Sequence, residues 1–162
     1  MTREFRGLCV ACSIAFISLS VDQLAKAFAA RELGRNGAIW CRFLLLRYCE
    51  NSGAAFGMLA GFRWFFCATA AAVLLLGIFF YRRLALWRPT NCICFGLIGG
   101  GILGNLWDRI SIGFVVDFIC LPLRPFDGVS FNVADCALCL GVGIHIFDSI
   151  LLHWRRSEST RR

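Results

Sequence analysis

Four stretches of the chain are apolar for long enough to cross a bilayer as helices: approximately residues 8–30, 61–81, 92–110 and 131–154. Spanning hydrocarbon takes roughly 20 predominantly apolar residues, because every backbone amide must be satisfied within the segment. No fifth window of that length exists. The first window has a basic front, as a secretory signal would, but its apolar run outlasts a typical signal core of roughly 7–15 residues, so it reads as a retained helix. Three prolines leave little to break these helices, and no linker, low-complexity tract or internal repeat divides the chain. The pattern predicts one all-α, polytopic membrane domain over residues 1–162.

Composition makes the membrane unavoidable. With 59% hydrophobic side chains in 162 residues and a mean hydropathy of +0.70, the polar residues are too few to cover a soluble globule of this size. Charge then orients the spans. Arg3 and Arg6 precede the first, Arg82, Arg83 and Arg88 fill the short second connection, and Arg155, Arg156, Arg161 and Arg162 follow the last. By the positive-inside rule these regions, both termini among them, are expected on the cytoplasmic side. The longer first connection also carries Arg31, Arg35, Arg42 and Arg47, but with Glu32 and Glu50 beside them. The net charge of +7 therefore reads as topology and contact with anionic headgroups, not as a nucleic-acid footprint.

With the termini inside, most of the six aspartates fall at the outer side. Asp108 ends the third span, Asp117 lies in the connection beyond it, and Asp135 sits in the first turn of the fourth. Asp22 lies in the outer part of the first span, Asp127 in the turn-like "FDG" of the same outer connection, and Asp148 near the inner end. His145 and His153 lie toward the inner end and cannot reach the outer acids. That removes a Ser/His triad and a His-ligated metal, and no HExxH is present. Neither a metal nor another cofactor is expected. What remains is carboxylate chemistry: two close carboxylates cannot both ionise cheaply, so the pair shares a proton, one partner acting as base toward water while the other hydrogen-bonds a carbonyl oxygen.

Five ordered blocks carry a resemblance: "DQLAK" at 22–26, "NSGAAFG" at 51–57, "GNLWDR" at 104–109, "VVDF" at 115–118 and "FNVAD" at 131–135. In order, spacing and four-span layout the chain resembles the lipoprotein signal peptidase, or signal peptidase II, family. The resemblance implies an aspartic endopeptidase of the bacterial inner membrane that works at the outer face. Its substrates are diacylglyceryl-modified prolipoproteins, cut just before the lipidated cysteine. Residue by residue, Asp117 and Asp135 match the catalytic positions. Asn51, Asn105, Arg109 and Asn132 match polar positions that shape the site, while Asp22, Lys26, Asp108, Gly53 and Gly104 fall at supporting motif positions. The family's outer connections form a small β-cradle and a short flap, and "AIWCRFLLLRY" at 38–48 alternates as cradle strands would. Cys136 stands where Ser is more usual after the last block, a change that leaves both acids intact.

Each residue also has a plainer reading. Asp135, three residues past Asn132, fits an N-terminal cap with an acidic third position, and Asp117 a solvated loop acid. Asp22 and Lys26 have the i,i+4 spacing of a helical ion pair, expected to support folding more than chemistry. Asp108 and Arg109, neighbours at a helix end, are expected to pair or to snorkel to headgroups. The glycines of "GLIGGGILG" suit close helix packing. Most of the ten cysteines read as small buried hydrophobes, with Cys41 and Cys49 able to pair in an oxidising compartment. A small proton-coupled carrier using the same carboxylates is the rival function, although four spans without an inverted repeat are few for alternating access.

Overall fold

The computed structural model describes residues 2–41, 44–53, 59–121 and 129–161. Its helices are α1 (Arg3–Asn36), α2 (Arg63–Phe79), α3 (Pro89–Ser111) and α4 (Val133–Arg161), with a single 3₁₀ turn, Tyr81–Leu84, between α2 and α3. Local signals set the ends. The Thr2 hydroxyl accepts from the Phe5 amide at 3.3 Å at the start of α1, and Gly37, at φ 79°, closes it by donating its amide to the Leu33 carbonyl. Pro89 opens α3 at its first turn, where a missing N–H costs nothing.

Burial is inverted relative to a soluble protein. Ser18, Asp22, Lys26, Asn91, Asp108, Asp117 and Asn132 are buried, whereas Phe16, Leu24, Phe28, Leu75, Phe79 and Phe147 are exposed. Apolar side chains outside and polar ones inside is the arrangement that a lipid solvent selects. Three helices are long and apolar enough to cross a membrane, over Arg3–Gly34, Pro89–Ser111 and Val133–Glu158. The fourth apolar helix, α2, has 17 residues; at 1.5 Å per residue it reaches roughly 26 Å, against a hydrocarbon core of about 30 Å.

Glycines let the helices close. α3 lies between α1 and α4. A Cβ on Gly96 or Gly100 would stand 2.7 Å from the Ile14 Cβ or 2.6 Å from the Ser18 Cβ of α1, and one on Gly101 2.5 Å from the Ala134 carbonyl oxygen of α4. This is the small-residue interface expected of "GLIGGGILG". At the far end of the bundle Arg88 holds Asp148 at 2.7 Å, tying the start of α3 to α4.

The connections at the opposite end contribute four strands, β1 (Ile39–Cys41), β2 (Leu44–Asn51), β3 (Val115–Leu121) and β4 (Val129–Phe131). They form one antiparallel sheet in the order β1-β2-β3-β4. The described residues of the "AIWCRFLLLRY" run do pair as antiparallel strands, with Ile39 opposite Leu46 and Trp40 opposite Leu45. β2 then pairs with β3, so that Asn51 faces Val115 and Cys49 faces Asp117, with an irregularity between Leu46 and Cys49. The flap implied by the resemblance is not seen among the described residues; residues 54–58 and 122–128 of the connections that bear the sheet, Asp127 included, lie outside them.

Candidate active site

The sheet meets the helix ends over a buried polar network. Its helical half is centred on Lys26, whose three donors are all taken: the ammonium lies 2.8 Å from Asp22 Oδ2, 2.8 Å from Asp108 Oδ2 and 3.1 Å from Asn105 Oδ1. Lys26 is 3% exposed and Asp22 fully buried, a placement tolerable only because both are paired and hydrogen-bonded. Asp22 does a second task. Its Oδ1 accepts the Ala134 amide of α4 at 2.7 Å, satisfying a first-turn donor that has no partner within its own helix. Gly104 makes room for this, since a Cβ there would stand 2.6 Å from Asp22 Oδ2.

Asp108 is buried rather than at headgroup level, and its partner is Lys26, not Arg109. It also accepts the Gln23 amide at 2.9 Å and the Val116 backbone amide at 3.1 Å, which fixes the entry of β3 against α3. Adjacent helical residues project about 100° apart, so the Asp108–Arg109 neighbourhood in sequence never becomes a contact. Arg109 instead directs its guanidinium to carbonyl oxygens, Gly53 at 3.0 Å and Asn105 at 3.3 Å, and stacks 4.9 Å over Phe66. Gly53 in turn donates its amide to Asn51 Oδ1 at 3.0 Å, so Arg109 clamps the turn that presents Asn51.

Asp117 and Asp135 meet through one side chain. Asn132, fully buried at the cap of α4, donates its amide to Asp117 Oδ1 at 2.7 Å, while its own Oδ1 accepts the Asp135 backbone amide at 3.0 Å. Asp135 Oδ2 accepts the Asn132 backbone amide at 3.2 Å, closing a reciprocal capping box, and its Oδ1 accepts from Asn105 at 2.8 Å. The capping reading and a role in the site therefore coexist. Asp117 Oδ2 accepts from Asn51 at 3.0 Å and from Ser130 at 3.3 Å. Asp117 is 1% exposed, not a solvated loop acid. Burial, joined by the charge of Asp135, pushes its carboxyl up to about 6 against the hydrogen bonds from Asn51, Asn132 and Ser130.

These groups line a cavity of about 230 Å³ bounded by Asn51, Gly53, Asn105, Arg109, Asp117, Ser130 and Asp135, with Val115, Val129 and Phe131 as its apolar wall. Two carboxylates, one with a raised pKa, opening onto a space large enough for several waters or part of a peptide are suited to acid–base attack of water on a carbonyl. Among the described residues no cluster of three His, Cys, Asp or Glu side chains is placed to hold a metal ion.

All eleven residues singled out in the sequence fall in this network. Two members were not anticipated. Gln23 bridges Asp22, Gly104 and Asp108; it stands inside the "DQLAK" block, so its position carried a signal. Ser130 is recruited only by the β3–β4 pairing, where it faces Cys120, and no sequence signal marks it. The sulfur of Cys49 faces that of Cys120 at 3.8 Å; a pairing of Cys49 with Cys41 falls on a side chain outside the described residues.

Residues 14–151 match the family model of signal peptidase (SPase) II. The lipoprotein signal peptidase of Symbiobacterium thermophilum is 39% identical over 86% of this chain and 93% of its own length. That of Syntrophotalea carbinolica is 37% identical over 88% and 89%. Among solved structures, a bacterial membrane enzyme determined by the in meso method at 2.3 Å superposes with a TM-score of 0.76 at 28% identity, covering 94% of this chain and 91% of that one.

Proposed function

The chain belongs to the signal peptidase II family and is an aspartic peptidase that removes the signal peptides of prolipoproteins; we propose that Asp117 and Asp135 are the two carboxylates that do the chemistry. Asp117, with its raised pKa, holds the shared proton and donates it in a hydrogen bond to the scissile carbonyl oxygen. Asp135 takes a proton from the attacking water and passes it to the leaving amine as the tetrahedral intermediate collapses. Asn132 keeps the two at fixed separation, Asn51 and Ser130 orient Asp117, and Asn105 orients Asp135. The observation that carries this reading is Asn132, hydrogen-bonded to one carboxylate and to the backbone of the other at the wall of a single cavity.

The remaining features of the reading go together. α2 completes a four-span bundle, a short span that local thinning of the bilayer accommodates. Both termini and the Arg82–Arg88 connection are cytoplasmic, and the sheet and cavity face the outer side of the bacterial inner membrane, where the diacylglyceryl chains of the substrate stay in the leaflet while the bond before its lipidated cysteine enters the cavity. All four acids of the network gather at the sheet end of the bundle, which suits hydrolysis at the membrane boundary better than carriage through its middle.

The test is cleavage of a diacylglyceryl-modified prolipoprotein by the purified protein, read as release of the signal peptide. Asp117→Asn and Asp135→Asn each lower turnover by about a hundredfold or more, as loss of a general acid or base does. The double variant is little worse than either single one, since the two act as a unit. Asp108→Asn keeps measurable turnover. An active Asp117→Asn beside a dead, normally folded Asp108→Asn overturns the assignment.

A further inference from the structure

Beside the carboxylates, and outside the mechanism, two thiols face each other. Cys49 of β2, the register partner of Asp117, and Cys120 of β3 bring their sulfurs to 3.8 Å. The irregularity between Leu46 and Cys49 breaks strict alternation along β2 at this point, which lets side chains from different pairing positions meet. Cys120 is buried and its sulfur also lies 3.9 Å from the Arg47 carbonyl oxygen, whereas Cys49 is partly exposed. Of the other cysteines, Cys41 ends β1 and the rest lie on helices.

We propose that Cys49 and Cys120 are a thiol–disulfide site that closes to link β2 and β3 beside the catalytic pair. A disulfide needs its sulfurs at about 2.05 Å, so closure brings them less than 2 Å nearer. The oxidant is a disulfide of low molecular mass or of an oxidoreductase, and the step balances by exchange. The Cys49 thiolate attacks one sulfur of that disulfide and expels the other as a thiolate, leaving a mixed disulfide on Cys49. The Cys120 thiolate then attacks the Cys49 sulfur and expels the second. Two protein thiols are oxidised by two electrons, one external disulfide is reduced to two thiols, and the two protons lost from the protein end on the thiols released. The roles follow from access: Cys49 is the exposed attacker. Cys120 resolves from within, and does so slowly, because burial and the neighbouring Cys49 push its thiol up to about 11. The link ties the strand that carries Asn51 to the strand that carries Asp117, and it closes a loop holding α2 and α3. That the site meets an oxidant in the cell rests on the outward-facing reading of the sheet.

The purified full-length protein, in detergent, is equilibrated in glutathione buffers from reducing to oxidising, alkylated and mapped by mass spectrometry, with its melting temperature read in parallel. A Cys49–Cys120 linked peptide, reversed by reductant, is expected, with a melting temperature raised by roughly 5 °C or more in the linked form. Cys49→Ser removes both the link and the redox dependence of melting. Absence of that peptide under oxidising buffer, or a melting shift that survives Cys49→Ser, overturns the proposal. The orientation is read separately, in intact cells treated with a phosphine reductant and then a membrane-impermeant maleimide. Labelling of Cys49 supports the outward face; its absence, with the link formed in purified protein, overturns the orientation and with it the claim that closure occurs in the cell.

Discussion

Replacing Asp117 by Asn should change how stability depends on pH, and the size of the change follows from its burial. The carboxyl titrates near 6 in the folded protein and near 3.9 in an unfolded chain. A raised folded pKa means that the native state holds its proton more tightly than the unfolded state does. This group's contribution to stability is therefore fully present below about 3.9 and is lost as pH rises through about 6. Between pH 4 and pH 8 the loss is about 2.5 kcal/mol, from 1.36 kcal/mol per pKa unit. The Asn amide cannot ionise, so the variant lacks this loss. It does face an awkward hydrogen-bond pattern, because Asn51 and Ser130 both donate to Asp117 Oδ2, but that cost is the same at both pH values and cancels in the comparison. Melting of wild type and Asp117→Asn in the same lipid nanodisc at pH 4 and 8 should thus show the variant gaining on wild type by roughly 5–10 °C as pH rises. Equal pH dependence in the two proteins would refute the argument that burial raises the pKa of this acid.

Lys26→Ala strands Asp22 and Asp108 without their cation, so folded yield and melting temperature should fall by the equivalent of about 3 kcal/mol or more; full stability with vanished specific activity would place Lys26 in the chemistry instead. Gly104→Ala puts a methyl 2.6 Å from Asp22 Oδ2 and 3.2 Å from the Ala134 Cβ, and thermal unfolding should register about 1–3 kcal/mol of destabilisation. Cleavage in EDTA should match cleavage without it, because the cavity offers carboxylate, amide and guanidinium groups but no imidazole or thiolate donor; loss on chelation restored by zinc would contradict a water activated by carboxylates alone.

Much of the architecture was legible because it is set locally. Apolar runs act within a few residues, and so do the alternation of 38–48 and the Asn132–Asp135 capping box. The ordered motif blocks named eleven residues that the fold brings into one polar network. What stayed hidden is pairing through space. Nothing near Asp108 in the chain indicates that its cation is Lys26, on another helix, because that contact exists only once the α3 glycines bring α1 close. Proximity in sequence even misled, toward Arg109 for Asp108. Ser130 acquires its partner from the β3–β4 register, and Cys120 meets Cys49 across the β2–β3 register, which carries an irregularity in β2 that no turn residue announces.

The distribution of charge across the network explains why these acids divide into two kinds. Four carboxylates converge, from Asp22, Asp108, Asp117 and Asp135, and two cations accompany them, Lys26 and Arg109. Lys26 divides its charge between Asp22 and Asp108 at equal distances of 2.8 Å, and the two carboxylates also do structural work on the amides of Ala134 and Val116. Arg109 turns its donors to the carbonyls of Gly53 and Asn105, so among the described residues no cation forms an ion pair with Asp117 or Asp135. Their hydrogen-bond donors are neutral amides and a hydroxyl. Two acids held near each other by Asn132 without a counter-ion relieve their repulsion most cheaply by sharing a proton. On the proposed assignment, the lysine that occupies two of the aspartates leaves the other two to divide into an acid and a base, and moving a cation into contact with Asp117 is expected to abolish that division by favouring its charged form.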